Sequence, residues 1–147
     1  MLFTGTYQNS IDSKFRITIP SVFRDKLGGS CFIARGFDEC LYIYAKEDFE
    51  IFVEKMSTLK QADEENRRFI RQIFPSAQEC KIDSQGRILV PPLLRSHAGI
   101  EKDVKDITLL GVLDKIEIWN TEILNQLEDE DLLKNADFVD KLSSYNI

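Results

Sequence analysis

The apolar positions of the chain predict short strands followed by short helices, in an order that occurs twice. Residues 16–19 (RITI) and 87–90 (RILV) are rich in β-branched and aliphatic side chains, and a proline ends each run. This composition favours two short strands. The segments SVFRDKL and PLLRSHA follow those prolines and are expected to form short helices.

Further apolar runs complete two similar units. Residues 31–35 with 41–44, and residues 107–113 with 115–119, each predict a β-hairpin. Three later segments have apolar residues at helical spacing, which predicts helices over residues 46–59, 63–74 and 121–127. Thr121 is expected to be the N-cap of the last helix. The acidic C-terminal tail has only a weak helical period.

Two phrases of fourteen residues show that the chain contains an internal repeat. IDSKFRITIPSVFR (residues 11–24) aligns without a gap with IDSQGRILVPPLLR (residues 82–95), and seven of the fourteen positions are identical. The repeat predicts two units of roughly 70 residues, 1–74 and 75–147. So small a unit cannot enclose a large core, so the two units are expected to share one.

Composition is that of a globular protein without a metal site. Hydrophobic residues make up 43% and charged residues 30% of the chain. No apolar run is long enough for a transmembrane helix, and the N-terminal residues lack a secretory signal, so a cytoplasmic protein is expected. Three cysteines without CxxC spacing and the single His97 do not form a zinc pattern, so no metal is expected.

Charge is distributed unevenly, which changes the meaning of the net charge of −6. Residues 1–36 hold five basic and two acidic groups, and residues 66–105 hold eight basic and four acidic groups. Each basic block contains one repeated phrase, and an acidic block follows each. Screening limits the field of a charge to about 10 Å at ordinary salt, so the local blocks matter more to a polyanion than the total.

The repeated phrases place an aspartate and an arginine four residues apart at a turn that enters a strand. One interpretation is purely structural: Asp12 with Arg16, and Asp83 with Arg87, form local ion pairs. The other interpretation is functional, because an arginine at the start of a rigid strand can bridge O6 and N7 of guanine. In that case the aspartates would orient the arginines and would not touch DNA.

Two more loop residues suit a nucleic-acid interface. Lys14 follows Ser13 in the first loop, and Gln85 takes the equivalent position in the second. Lysine contacts phosphate, and glutamine can bridge N6 and N7 of adenine. Arg24 and Arg95 are also equivalent between the phrases, and either structural pairing or phosphate contact would explain them.

Catalysis is not expected. The one histidine cannot complete a Ser/His/Asp set, and the segment KLGGS lacks the context of a phosphate-binding loop. Asp12 and Asp83 each have an arginine beside them, which lowers a carboxyl pKa and favours the charged form. No catalytic residue, cofactor, small-molecule substrate or membrane partner is therefore expected.

The doubled D-x-x-x-R phrase, with RGFDECLYIY, RRFIRQIFPSAQECKIDSQGR, GRILVPPLLR and IEIW, resembles the MraZ family of bacterial transcriptional regulators. The resemblance covers about residues 1–125. It implies an α+β fold with a mostly β core, an AbrB-like swapped-hairpin β-barrel built from two repeats. It also implies a homo-oligomeric ring in the cytoplasm and nucleoid that binds tandem repeats in double-stranded promoter DNA, as a repressor of the division and cell-wall gene cluster.

The family motif maps onto this chain at five positions. Asp12, Arg16, Asp83 and Arg87 match the doubled motif, and Lys14 matches its basic position. One position departs from the family pattern, because Phe15 replaces a glycine that Gly86 keeps. A turn that needs a positive φ would be strained at a phenylalanine, so the first loop could be differently shaped, or Phe15 could contact DNA or a neighbouring subunit.

A second hypothesis belongs to a different class. An oligomeric protein-interaction scaffold, or an antitoxin-like adaptor, would bind partners through the acidic tail. A DNA-binding protein loses affinity steeply as salt rises, whereas such a scaffold would not.

Overall fold

The computed structural model describes residues 2–132 and 140–146; within residues 2–132 it contains eight strands and five α-helices, and residues 140–143 are also helical. A 3₁₀ turn, Phe74–Ser76, follows the third helix. In chain order the elements are β1 (Thr6–Ser10), β2 (Arg16–Thr18), α1 (Ser21–Leu27), β3 (Ser30–Arg35), β4 (Leu41–Tyr44), α2 (Lys46–Ser57), α3 (Glu64–Ile73), β5 (Gln78–Lys81), β6 (Arg87–Leu89), α4 (Pro92–His97), β7 (Asp106–Val112), β8 (Lys115–Asn120) and α5 (Thr121–Leu132).

Two antiparallel β-structures organise these elements. Six strands form one sheet in the order β1-β7-β8-β4-β3-β5, and β2 pairs with β6 as a separate two-stranded ribbon. If each strand is replaced by its equivalent in the other repeat, the same strand order results, read from the opposite edge of the sheet. The edge strand β1 pairs with β7 of the second repeat, and β5 pairs with β3 of the first. These exchanged edge strands confirm the swapped, two-repeat architecture.

The hydrophobic core lies between the ribbon and one face of the sheet. Ile17 and Ile88 occupy the inner face of the ribbon and are almost fully buried against residues of β3, β4, β7 and β8. The α+β class with a mostly β core is therefore confirmed. Hydrogen bonds between the described strands form an open six-stranded sheet and a separate ribbon, and the ribbon covers the side of the core that faces away from the sheet.

The other face of the sheet is covered by helices. Tyr44 and Trp119 lie on this face and are buried. The ring of Phe52 from α2 stacks on Tyr44 with the ring centroids 5.1 Å apart. Burial raises the pKa of Tyr42, on the same face, to about 12. Alternation along β4 thus sends its aliphatic side chains to one core and its tyrosines to another.

The structure corrects several sequence predictions at the ends of elements. Asn120, not Thr121, caps α5, because its Oδ1 accepts a hydrogen bond from the Glu122 amide at 3.0 Å. The hydroxyls of Thr121 and Thr108 are instead hydrogen-bonded to each other at 2.8 Å. Helix α5 also extends beyond residue 127.

No helix within residues 2–132 and 140–146 is long and apolar enough to cross a membrane.

Candidate nucleic-acid interface

Each repeated phrase forms a compact turn around its aspartate. In the first loop, residues 12–16, Oδ1 of Asp12 accepts hydrogen bonds from the amides of Lys14 and Arg16, both at 2.9 Å. The amide of residue 15 donates to the Asp12 carbonyl at 3.0 Å. Short polar side chains stabilise turns in this way because they satisfy backbone amides that have no helix or sheet partner.

The second loop, residues 83–87, repeats the same pattern. Oδ1 of Asp83 accepts from the amides of Gln85 at 2.9 Å and Arg87 at 2.8 Å. The Gly86 amide donates to the Asp83 carbonyl at 2.9 Å. The two loops therefore share one hydrogen-bonding pattern although they differ in sequence at two of five positions.

An ion pair fixes the arginine of each loop. Nε of Arg16 donates to Oδ2 of Asp12 at 2.7 Å, and Nε of Arg87 donates to Oδ2 of Asp83 at 2.9 Å. The amide and guanidinium hydrogen bonds from Arg16 hold the pKa of Asp12 below its ordinary value, and Arg87 has the same effect on Asp83. A guanidinium held through Nε still has its two terminal amino groups as donors.

The ribbon places both arginines on one surface. Arg16 lies opposite Leu89, and Thr18 lies opposite Arg87, so these four residues share the outer face of the β2–β6 ribbon. Diagonal neighbours of this kind have α-carbons about 7–8 Å apart. A two-stranded ribbon fits the major groove of B-DNA, which is about 12 Å wide.

The loops lie at opposite ends of the ribbon because its strands are antiparallel. Lys14 and Gln85 are exposed at the tips of the two loops. Thr18 and Leu89 were not predicted from the sequence, and both are exposed between the two arginines. The alternation of exposed and buried residues along the two strands was the signal that could have identified them.

Both loops require a left-handed residue at the same position. Phe15 has φ 61° and Gly86 has φ 78°. This conformation costs an ordinary residue about 1–2 kcal/mol. The expectation of strain at Phe15 is therefore confirmed, whereas the first loop keeps the hydrogen bonds of the second.

The cysteines are free thiols, and two of them are in contact. The Sγ atoms of Cys31 and Cys80 lie 3.3 Å apart, at directly opposed positions of β3 and β5. Their hydrogen bond and burial raise the pKa of Cys31, while the same hydrogen bond lowers the pKa of Cys80. Among the described residues, no group of three or more His, Cys, Asp or Glu side chains could hold a metal ion.

Taken together, the duplication, the exchanged edge strands and the two Asp–Arg loops define a two-repeat, swapped-hairpin β-protein that presents paired arginines on a ribbon. The family model described as "MraZ protein", whose description also calls it antitoxin-like, matches the chain twice, at residues 2–72 and 73–143. The chain belongs to the MraZ family.

Curated relatives match the chain along most of its length, and each carries the name "Transcriptional regulator MraZ". The protein of Alkaliphilus metalliredigens is 36% identical over 146 residues, which cover 99% of this chain and 100% of that protein. The protein of Clostridium tetani is 42% identical over 131 residues, covering 89% of this chain and 90% of its own. The protein of Lachnoclostridium phytofermentans is 45% identical over 121 residues, or 82% and 83%.

Proposed function

We propose that this protein is a transcriptional regulator that binds double-stranded promoter DNA sequence-specifically through the outer face of the β2–β6 ribbon. The observation that carries this proposal is the pair of arginines on that face, each fixed by an aspartate of its own loop. A preorganised donor loses little side-chain freedom on binding, which favours a direct contact with a base edge. The names of the curated relatives support the regulatory role.

Each site residue has a distinct role in this proposal. Arg16 and Arg87 contact guanine through their terminal amino groups, and Asp12 and Asp83 orient them. Lys14 contacts phosphate or a base edge at one end of the ribbon, and Gln85 assists at the other, where it can bridge N6 and N7 of adenine. The six side chains form no catalytic or metal site in this interpretation.

A ring of identical subunits on tandem promoter repeats would strengthen the binding. One subunit offers only a few basic groups, and the chain as a whole carries a net charge of −6. Linked subunits that bind consecutive repeats gain avidity without any new contact. Binding of this kind would repress the protein's own promoter within the nucleoid. Genes for division and cell-wall synthesis would be repressed with it.

The test is a mobility-shift titration with duplex DNA from upstream of the protein's own gene. Wild type is compared at two salt concentrations with the Arg16→Ala/Arg87→Ala double variant. The control is Lys26→Ala, because Lys26 lies over the Phe3 ring, with its Nζ 5.7 Å from the ring centroid, and donates to the Leu2 carbonyl.

The proposal predicts a salt-sensitive, repeat-dependent shift that the double variant loses while it keeps the wild-type oligomeric state. Lys26→Ala is expected to bind almost as wild type does. Salt-insensitive binding, or an undiminished shift in the double variant, would overturn the proposal and favour a protein-interaction scaffold or antitoxin-like adaptor.

A further inference from the structure

Arg24, on helix α1 of the first repeat, packs against the second loop. Its guanidinium occupies the space beside the α-carbon of Gly86, where an added Cβ would clash with Nη1 and lie 2.6 Å from Cζ. Nε of Arg24 is buried and has no hydrogen-bond partner among the described residues. Packing against the loop backbone therefore contributes to the position of this side chain.

The equivalent contact exists in the other direction. Arg95, on helix α4 of the second repeat, lies over the ring of Phe15 in the first loop, with Cζ 3.7 Å from the ring centroid. Its Nε donates to the Val90 carbonyl at 2.8 Å, which fixes the guanidinium. A cation over an aromatic face is stabilising, and a guanidinium suits this contact because it is planar.

Backbone hydrogen bonds follow the same crossed pattern. The Ile19 amide of the first repeat donates to the carbonyl of Gly86 at 2.8 Å, and the Val90 amide of the second repeat donates to the carbonyl of Phe15 at 2.9 Å. Residues 15 and 86 are equivalent, as are 24 and 95. Each loop is therefore held by a helix arginine of the opposite repeat and by the amide of the residue that follows the ribbon strand of that repeat.

We propose that Arg24 is a positioning residue for Arg87, and Arg95 a positioning residue for Arg16, so that each DNA-binding loop is set by the other repeat. This inference rests on the proposed function. The helix arginine that follows each loop in the sequence is therefore not the one that supports that loop. The two supports also differ chemically, because Phe15 offers a ring face where Gly86 offers space.

Double-mutant cycles on the upstream duplex test the crossing. Arg24→Ala alone is expected to weaken binding about fivefold or more, with the loss from Arg87→Ala as its upper limit. In the Arg87→Ala background Arg24→Ala should add little, whereas in the Arg16→Ala background it should keep its full effect. Arg95→Ala should show the reverse pairing. Coupling within one repeat, additivity in every cycle, or unchanged affinity of both single variants would overturn the inference.

Salt dependence separates positioning from phosphate contact. A positioning residue touches no phosphate, so Arg24→Ala is expected to lower the affinity while the slope of log K against log salt stays that of wild type. Loss of one phosphate contact would reduce the slope by about 0.9. A reduction of that size would assign Arg24 to direct DNA contact and overturn the proposal.

Two glycines provide a matched control for the packing. Gly86→Ala introduces a Cβ into the Arg24 guanidinium, whereas Gly28→Ala, with φ 80° against 78°, meets nothing within 4 Å. Both glycines have a positive φ, so alanine is strained at either position, and at Gly28 the ψ of −146° lies in a region that almost only glycine adopts. Gly86→Ala is expected to weaken DNA binding at least fivefold more than Gly28→Ala, whichever of the two loses more thermal stability, with the Arg87→Ala effect as the limit. Equal binding by the two variants would contradict the role of Arg24.

Amide hydrogen exchange of the free protein separates this inference from the proposed function. Arg24→Ala is expected to accelerate exchange at Gly86 and Arg87, whose amides bond Asp83, while residues 15 and 16 stay protected; Arg95→Ala should do the opposite. If wild type binds no DNA but exchange changes in this crossed pattern, only the proposed function fails. If wild type binds DNA and neither crossed pattern appears, the inference fails alone.

Discussion

Arg16 and Arg87 lie diagonally across the β2–β6 ribbon on its outer face. The residue that follows each of them in its strand points into the core. Ile17 pairs with Ile88 on that inner face, and the exposed fractions of their side chains are 0% and 1%. The ribbon therefore has one face that is buried in the core and one that is open to solvent, because alternate residues of the same strand face different environments. Substitutions on the two faces are expected to have different effects.

The first prediction concerns the inner face. Ile17→Ala removes a fully buried side chain and is expected to lower the free energy of unfolding by about 2–5 kcal/mol. Leu89→Ala, at a position that is 52% exposed, should change it by less than about 0.5 kcal/mol. Urea denaturation of the two variants measures both values, and equal losses would contradict the assignment of the faces.

The second prediction concerns the exposed Leu89 on the outer face. If the ribbon enters the major groove, this side chain is placed to contact the methyl group of a thymine. Replacing thymine by uracil throughout the upstream duplex removes those methyl groups. For one buried methyl this should cost wild type about 0.8 kcal/mol, roughly fourfold in affinity.

The control for that experiment is Leu89→Ala itself. This variant should bind the thymine duplex more weakly than wild type and should discriminate less between the two duplexes. If wild type and Leu89→Ala lose the same affinity on uracil substitution, the methyl contact lies elsewhere on the protein.

The third prediction is an acid dependence of stability. Hydrogen bonds from Arg16 and Arg87 lower the pKa of Asp12 and Asp83 below the ordinary value of 3.8. At a pH below that value the unfolded chain therefore binds more protons than the folded protein. The contribution of the two aspartates to the free energy of unfolding is complete above about pH 5 and is lost as pH falls through their pKa in the folded protein. The midpoint of urea unfolding should decrease between about pH 5 and pH 2 more in wild type than in an Asp12→Asn/Asp83→Asn variant. A decrease of the same size in both would exclude these carboxylates as its source.

The fourth prediction concerns the thiol pair of β3 and β5. Because its hydrogen bond with Cys31 lowers the pKa of Cys80, the partly exposed Cys80 should react with a disulfide reagent at pH 7 before the two buried thiols. Cys31→Ala removes that hydrogen bond and should slow the reaction of Cys80. Cys40→Ala is the control. Burial is the main cause of the raised pKa of Cys40, and the hydrogen bond of Cys80 is made with Cys31.

If Cys31→Ala leaves the rate at Cys80 unchanged, exposure alone accounts for its reactivity. If Cys40 reacts as fast as Cys80 in the native protein, the burial of Cys40 is contradicted. Mass spectrometry of the labelled peptides distinguishes these outcomes.

The sequence was most informative where the structure depends on near neighbours. Asp12 bonds residues two and four positions ahead, and Asp83 does the same, so each repeated phrase contains the groups that make the internal hydrogen bonds of its own loop. The DNA-binding roles of Lys14, Arg16, Gln85 and Arg87, and the division at residue 74, stay predictions. The acidic tail from residue 133 to 139 lies outside the described residues.

The edge strands were missed because their sequences carry little strand signal. TYQNS and QECK are largely polar, and β1 and β5 gain their partners from the opposite repeat, with Asn9 opposite Ile107 and Cys31 opposite Cys80. Pairing of this kind depends on the neighbouring backbone and not on local propensity. No periodicity within five residues could have predicted it.

By itself, the sequence determined the duplication, the loop chemistry, the hairpins and the family, because each depends on residues close together in the chain or on a repeated pattern. Only the tertiary structure decided that the edge strands exchange and that the two arginines share one face of a ribbon. It also showed that Arg24 and Arg95 cross to the opposite loops. These relationships join residues far apart in the chain, from Ile33 opposite Gln78 in β3–β5 to Thr6 opposite Leu110 in β1–β7, and they arise because two small units bury their apolar faces in one common core.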